Sequence, residues 1–199
     1  MQNILDTKRK ICKRCEYPAS TCVCKWVSPI RSPIKIVILQ HPKETKHAKN
    51  SVKLLKLGLQ NLEVVIGESA QDFIQFTNQV KLNPEQYCLC YPSDKSVPLD
   101  SVNTAIKNYS FNTIIFIDAS WRKALKMWHL NPWLHELDSW HFDYPPASQY
   151  QIRSTSQTNG LSTLESVVYV LKRTQNMDCT YLKRLFMNMQ KVNFINNQN

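Results

Sequence analysis

The chain has 199 residues, 43% of them hydrophobic, enough for one core-bearing domain with a small appendage. Lysine and arginine outnumber the acids 25 to 15, a net charge of +10 that points to a polyanionic partner, nucleic acid first. No apolar run approaches a membrane span, the first residues lack the apolar core of a signal peptide, and the three glycines (Gly58, Gly67, Gly160) can form neither a G-x-G-x-x-G nor a Walker A loop. The expectation is a cytoplasmic protein with no Rossmann dinucleotide site and no P-loop.

In chain order, residues 1–30 form the first unit. The stretch "CKRCEYPASTCVC" gives C-x2-C, six intervening residues, then C-x-C, from Cys12, Cys15, Cys22 and Cys24. Two close pairs of cysteines can close a tetrahedral thiolate site around Zn²⁺, and a segment this short needs such a staple. Two disulfides or idle thiols are the alternatives. An odd total of seven cysteines fits a reducing compartment, where clustered cysteines bind metal more often than they pair. Because protein fills all four positions, the site is structural. Lys13, Arg14 and Lys25 make this knuckle basic, either to touch RNA phosphates or simply to face water.

Residues 31–199 read as the second unit, entered through "VSPIRSP", whose prolines and serines read as a linker. "IKIVILQHP", "LEVVIGES", "QYCLCYPSD", "FNTIIFIDAS" and "LDSWHFDYPP" read as strands. Helical patterns fall between or after them at "NSVKLLKLGL", "AQDFIQFTNQV", "SVNTAIKNY", "WRKALKMWHL", "LSTLESVVYVLKRTQ" and "CTYLKRLFMNMQKVNF". This alternation predicts an α/β fold, a mostly parallel sheet with helices on both faces.

Ligands of such sheets sit beyond the carboxyl ends of the strands. "QHPKE", "YPSD" and "DASW" are therefore candidates for one rim. Asp118 stands where an apolar strand meets that rim, with Ser120 and Trp121 just after it. Trp121 is a candidate for stacking on a base as much as for the core, whereas Trp128 and Trp133 read as core. His41 either contacts a ligand or caps the turn that follows it. Pro92 and Ser93 end the third strand. Cys88 and Cys90 alternate in that strand as small apolar residues. Near the end, a polar loop carries Arg153 and leads through Leu161 into a helix start. There Ser162 and Glu165 can form a capping box, and the amides around Thr163 can cradle a carboxylate or phosphate.

The cysteine knuckle, "QHPKE", "YPSD", "DASW" and "YQIR…GLSTLES", in that order, resemble the DTW-domain family. Its namesake motif is usually Asp, any residue, Thr, Trp; here it is Asp118, Ala119, Ser120 and Trp121, with serine keeping the hydroxyl. The resemblance runs from about Cys12 to Leu171. It implies a SPOUT-like, knotted fold and a tRNA-uridine aminocarboxypropyltransferase. The reaction so implied moves the 3-amino-3-carboxypropyl group of S-adenosyl-L-methionine to uridine N3 in tRNA and releases 5′-methylthioadenosine. Under the resemblance, Asp118 is the general base or a cofactor ligand, and Trp121 walls the pocket or stacks on the target base. Arg153 pairs with the cofactor carboxylate or a tRNA phosphate. His41, Pro92, Ser93, Ser120, Leu161, Ser162, Thr163 and Glu165 belong to the cofactor site, and Cys12, Cys15, Cys22 and Cys24 hold Zn²⁺. A SPOUT-type RNA methyltransferase and a non-catalytic zinc-knuckle RNA-binding protein are the competing readings. Monomer and homodimer both stay open.

Overall fold

In the computed structural model, residues 10–47, 49–101, 111–152 and 160–195 are described. Six strands form one sheet: β1 (Ile30–Gln40), β2 (Leu59–Ile66), β3 (Tyr87–Cys90), β4 (Val97–Pro98), β5 (Thr113–Asp118) and β6 (Asp138–His141). Their order is β2-β1-β5-β3-β6-β4, and neighbouring strands run parallel throughout. Parallel strands need crossover connections, and helices supply them between β1 and β2, β2 and β3, and β5 and β6.

Side chains alternate across a strand, so each central strand feeds two cores. Ile36, Ile38, Ile114 and Phe116 face one cluster, and Val37, Leu39, Leu89 and Ile115 face the other. Helices α1 (Val52–Gly58), α4 (Thr163–Gln175) and α5 (Thr180–Gln190) cover the first face. Helices α2 (Ile74–Leu82) and α3 (Trp121–Leu130) cover the second. Burial on both faces is why β1 and β5 read as unbroken apolar runs.

The knuckle lies against the first face. Cys15, Tyr17 and Val23 are buried in the same cluster as Leu182, Leu185 and Phe186 of α5. The Cys12 amide donates to the Tyr17 carbonyl at 2.8 Å, and Ile11 and Pro18 form an antiparallel bridge.

Three elements differ from expectation. The "VSPIRSP" segment is not all linker, because β1 starts at Ile30 and pairs Ile30 with Leu59 and Arg31 with Gln60 before the register shifts ahead of Ile36. Pro33, with no amide proton to give the ladder, sits inside that shift. The two-residue strand β4 carried no pattern long enough to read. Helix α5 ends at Gln190 and passes into one π-helical turn, Lys191–Ile195. Apart from Ser101, the helix expected at "SVNTAIKNY" falls outside the described residues.

Candidate active site

A cleft of about 800 Å³ opens at the carboxyl ends of β3, β5 and β6. The starts of α3 and α4 and the turn after β1 close it. Among the predicted residues, Pro92, Asp118, Ser120, Trp121, Leu161, Ser162 and Thr163 line it.

Asp118 is the last residue of β5 and pairs in register with Gln40, the last of β1. The Gln40 side chain is buried at 1% exposure, and its amide nitrogen donates to Asp118 Oδ2 at 2.8 Å. That nitrogen also lies 3.4 Å from Asn50 Oδ1. Thr163 Oγ1 donates to Asp118 Oδ1 at 2.5 Å. Asn50 is fixed in turn, accepting from the Val52 amide at 2.9 Å and donating to the Glu44 carbonyl at 3.1 Å. The carboxylate is thus held from both sides, by the end of one strand and the start of a helix.

Two serines begin the helices beside Asp118, and they differ in use. Ser162 is buried and forms a full capping box with Glu165: its Oγ accepts from the Glu165 amide at 3.3 Å, and its amide donates to Glu165 Oε2 at 2.8 Å. Ser120 is the N-cap of α3, yet its side chain makes no capping bond, and it faces the cleft. Trp121 follows at 48% exposure, a large ring left half in water at the cleft wall. Lys123 and Glu44, both lining the cleft, pair at 2.8 Å.

His141 was not singled out in the sequence. It ends β6 and lines the cleft, with Nδ1 at 2.8 Å from Ser96 Oγ and Nε2 at 3.0 Å from Asp143 Oδ1. Gln40 and Asn50 were also missed. Their signal lies in pairing across the sheet, which a linear pattern does not carry.

Three predicted residues point elsewhere. His41 is buried; its Nδ1 accepts from the Lys43 amide at 3.0 Å, and its Nε2 lies 3.3 Å from Glu68 Oε1. It therefore caps the turn Pro42–Glu44. Lys126 and His41 hold the Glu68 carboxyl below its usual range by hydrogen bonding and charge. Ser93 lies 3.2 Å from Ser139 and faces a smaller neighbouring hollow. Glu165 is occupied by the capping box and by Ser148 and the Gln149 amide. Arg153 lies outside the described residues. Of the tryptophans read as core, Trp133 is buried, while Trp128 is half-buried and stacks on Tyr91 at 5.2 Å between centroids.

The sulfurs of Cys12, Cys15, Cys22 and Cys24 all lie within 4.8 Å of one another. Cys12 to Cys24 and Cys15 to Cys22 are each 3.6 Å, far beyond the ~2.05 Å of a disulfide. Four thiolates about 2.3 Å from one tetrahedral ion would stand at nearly this separation. The amides of Cys15 and Arg14 donate to the Cys12 sulfur and pull its pKa down, whereas burial and the neighbouring cysteine sulfurs push that of Cys24 up to about 12, so without a cation the four sulfurs do not ionise together. The cluster can hold a metal ion. Glu16, next to Cys15, turns the knuckle with φ 54.

Among the described residues, no helix is long and apolar enough to cross a membrane. No solved structure matches the chain. It is 32% identical over 170 residues to tRNA-uridine aminocarboxypropyltransferase 2 of Drosophila melanogaster, covering 82% of this chain and 66% of that one. Identity to the Mus musculus protein of the same name is 26% over 176 residues, covering 86% and 59%. To tRNA-uridine aminocarboxypropyltransferase A of Arabidopsis thaliana it is 26% over 133 residues, covering 60% and 50%. The chain thus spans half to two thirds of the length of these relatives. The profile of the DTW domain matches residues 9–193. That match takes in the cysteine cluster, all six strands and both helix starts at the cleft, and the chain therefore belongs to the DTW-domain family.

Proposed function

We propose that this protein transfers the 3-amino-3-carboxypropyl group of S-adenosyl-L-methionine to N3 of a uridine in tRNA, releasing 5′-methylthioadenosine. The observation that carries the reading is Asp118, held by Gln40 and Thr163 at the floor of a cleft that also presents Trp121. Relatives named as tRNA-uridine aminocarboxypropyltransferases supply the reaction class.

The residues present fit the donor. The cleft's volume falls in the range of small-molecule sites. At the start of α4 the amides of Ser162, Leu164 and Glu165 already have partners, so the Thr163 amide and the helix dipole are what a carboxylate meets, and Asp118 offers negative charge to an ammonium or sulfonium group. S-adenosyl-L-methionine supplies an electrophilic carbon beside its sulfonium; the bond from that carbon to sulfur breaks as the bond to uridine N3 forms. Asp118 accepts the N3 proton, which makes the nitrogen nucleophilic. The fixed carboxylate means little reorganisation is needed at that moment. Trp121 stacks on the target base. Pro92, Ser120 and the segment Leu161 to Thr163 shape the donor pocket, and Arg153 pairs with the donor carboxylate or a tRNA phosphate.

A SPOUT-type knotted fold belongs to the same reading and is supported by the parallel sheet with its cleft at the strand ends. So does Zn²⁺ as the ion of the knuckle, residues 1–30, with residues 31–199 as the catalytic unit in the cytoplasm. The test is nucleoside mass spectrometry of tRNA incubated with purified protein and S-adenosyl-L-methionine. An aminocarboxypropyl adduct on uridine together with methylthioadenosine is expected. S-adenosylhomocysteine would indicate a methyltransferase, and RNA binding without any modified nucleoside would indicate a binding module.

A further inference from the structure

Beside the main cleft lies a second hollow of about 390 Å³. Its base is a stack of three rings. Tyr91 and Trp128 lie 5.2 Å apart at an interplanar angle of 24°, and Trp128 and His135 lie 4.0 Å apart at 30°. Leu125, Lys95 and His129 also line it, as does Asp94. Tyr91 and Pro92 line both hollows, so a single wall separates them.

The outer side of α3 joins the two. Trp121, Leu125 and Trp128 recur at four and three residues, the spacing of one helix face. Trp121 lines the main cleft; Leu125 and Trp128 line the second hollow. Trp121 is 48% and Leu125 51% exposed. An aromatic and apolar strip about 10 Å long thus runs along eight residues of helix from one hollow to the other. Arg122 is exposed on the same helix, as is Lys126, which pairs with Glu68 at 2.8 Å.

We infer that this strip and the second hollow form a subsite for an unstacked nucleotide flanking the uridine at Asp118. The inference rests on the proposed tRNA reading. Aromatic rings with cations between them are what single-stranded RNA requires. Each base presents a flat face to stack on, and each link adds a phosphate for lysine or histidine to meet. The net charge of +10 gives the same partner a general attraction. The shared wall seats neighbouring bases in neighbouring hollows. A base drawn into the second hollow fixes the strand and thereby presents the target base to Asp118.

The probe is a short fluorescein-labelled oligouridylate, titrated by anisotropy against wild-type protein, Leu125→Glu and Lys95→Glu. Leu125 is half-exposed, so the melting temperature of Leu125→Glu should match wild type. Binding should weaken at least about tenfold in Leu125→Glu, the loss expected when a stacking platform is spoiled, and less in Lys95→Glu. Wild-type protein that fails to bind, or a Leu125→Glu affinity within about twofold of wild type, overturns the subsite. So does a wild-type dimer in sedimentation that Leu125→Glu dissolves, because the strip would then be a contact between copies of this chain. The transfer assay separates the two readings. Adduct formation with unchanged Leu125→Glu binding sinks the subsite alone, whereas weakened binding with no adduct from wild type keeps the subsite and sinks the chemistry.

Discussion

Asp118 gains its place from two donors that come from different elements. Gln40 reaches it across the β1–β5 register, and Thr163 reaches it from the first residue of α4. Asp118→Asn keeps the shape and removes the proton acceptor, so kcat should fall by roughly 10²–10⁴-fold, the usual weight of a general base, with tRNA affinity held. Single-turnover rates and a binding titration on the same protein check this; an Asn variant that turns over normally would remove Asp118 from the chemistry. Thr163→Val takes away one donor without changing volume much. A drop in kcat that Thr163→Ser restores would mark the hydroxyl as a positioning group, because serine returns the O–H while losing the methyl.

At the scale of elements, the two N-cap serines make opposite predictions. Ser162→Ala breaks a complete capping box in a buried setting and should cost about 1 kcal/mol, read as a lower melting temperature. Ser120 makes no capping bond, so Ser120→Ala should leave the melting temperature nearly unchanged and lower activity instead. Equal thermal losses in the two variants would contradict this division. Helix α1 supplies a third case. A Cβ on Gly58 would lie 2.7 Å from Leu182 Cδ2 and 3.3 Å from Leu185 Cδ2, both buried side chains of α5. Overpacking costs about 1–3 kcal/mol, more than the ~1 kcal/mol that alanine gains over glycine in a helix, so Gly58→Ala should destabilise in urea titration. These elements also show what a linear reading can carry. The knuckle, the strand ending at Asp118 and the capping box were legible because each depends on residues within a few positions of one another. Gln40, Asn50 and His141 were not, because their roles come from which strands lie side by side. The linker reading of "VSPIRSP" failed for a related reason: pairing with β2 recruits Ile30 and Arg31 into β1 despite the nearby prolines.

Across the whole molecule, the cysteine cluster is tied to the opposite end of the chain. Cys15, Tyr17 and Val23 are buried with α5, Asn193 Nδ2 donates to the Thr21 carbonyl at 3.3 Å, and Lys53 Nζ sits 4.5 Å from the Tyr17 ring while donating to the Glu16 carbonyl. A metal ion that fixes the four sulfurs therefore also fixes a wall of the first core, and through α5 and α4 it supports the helix start that holds Asp118. Thiolates bind the ion and thiols do not, so protons compete with metal and occupancy should fall as pH drops. Purified protein should carry one zinc per chain by elemental analysis. A strong chelator should lower the melting temperature, and zinc added back should restore it. Cys15→Ser should reproduce the chelated behaviour, because Cys15 is both one of the four cysteines that can hold a metal ion and a buried core residue. If metal-free protein melted where the untreated protein does, the knuckle would have to be held by its apolar contacts alone, and metal binding would have no structural part to play.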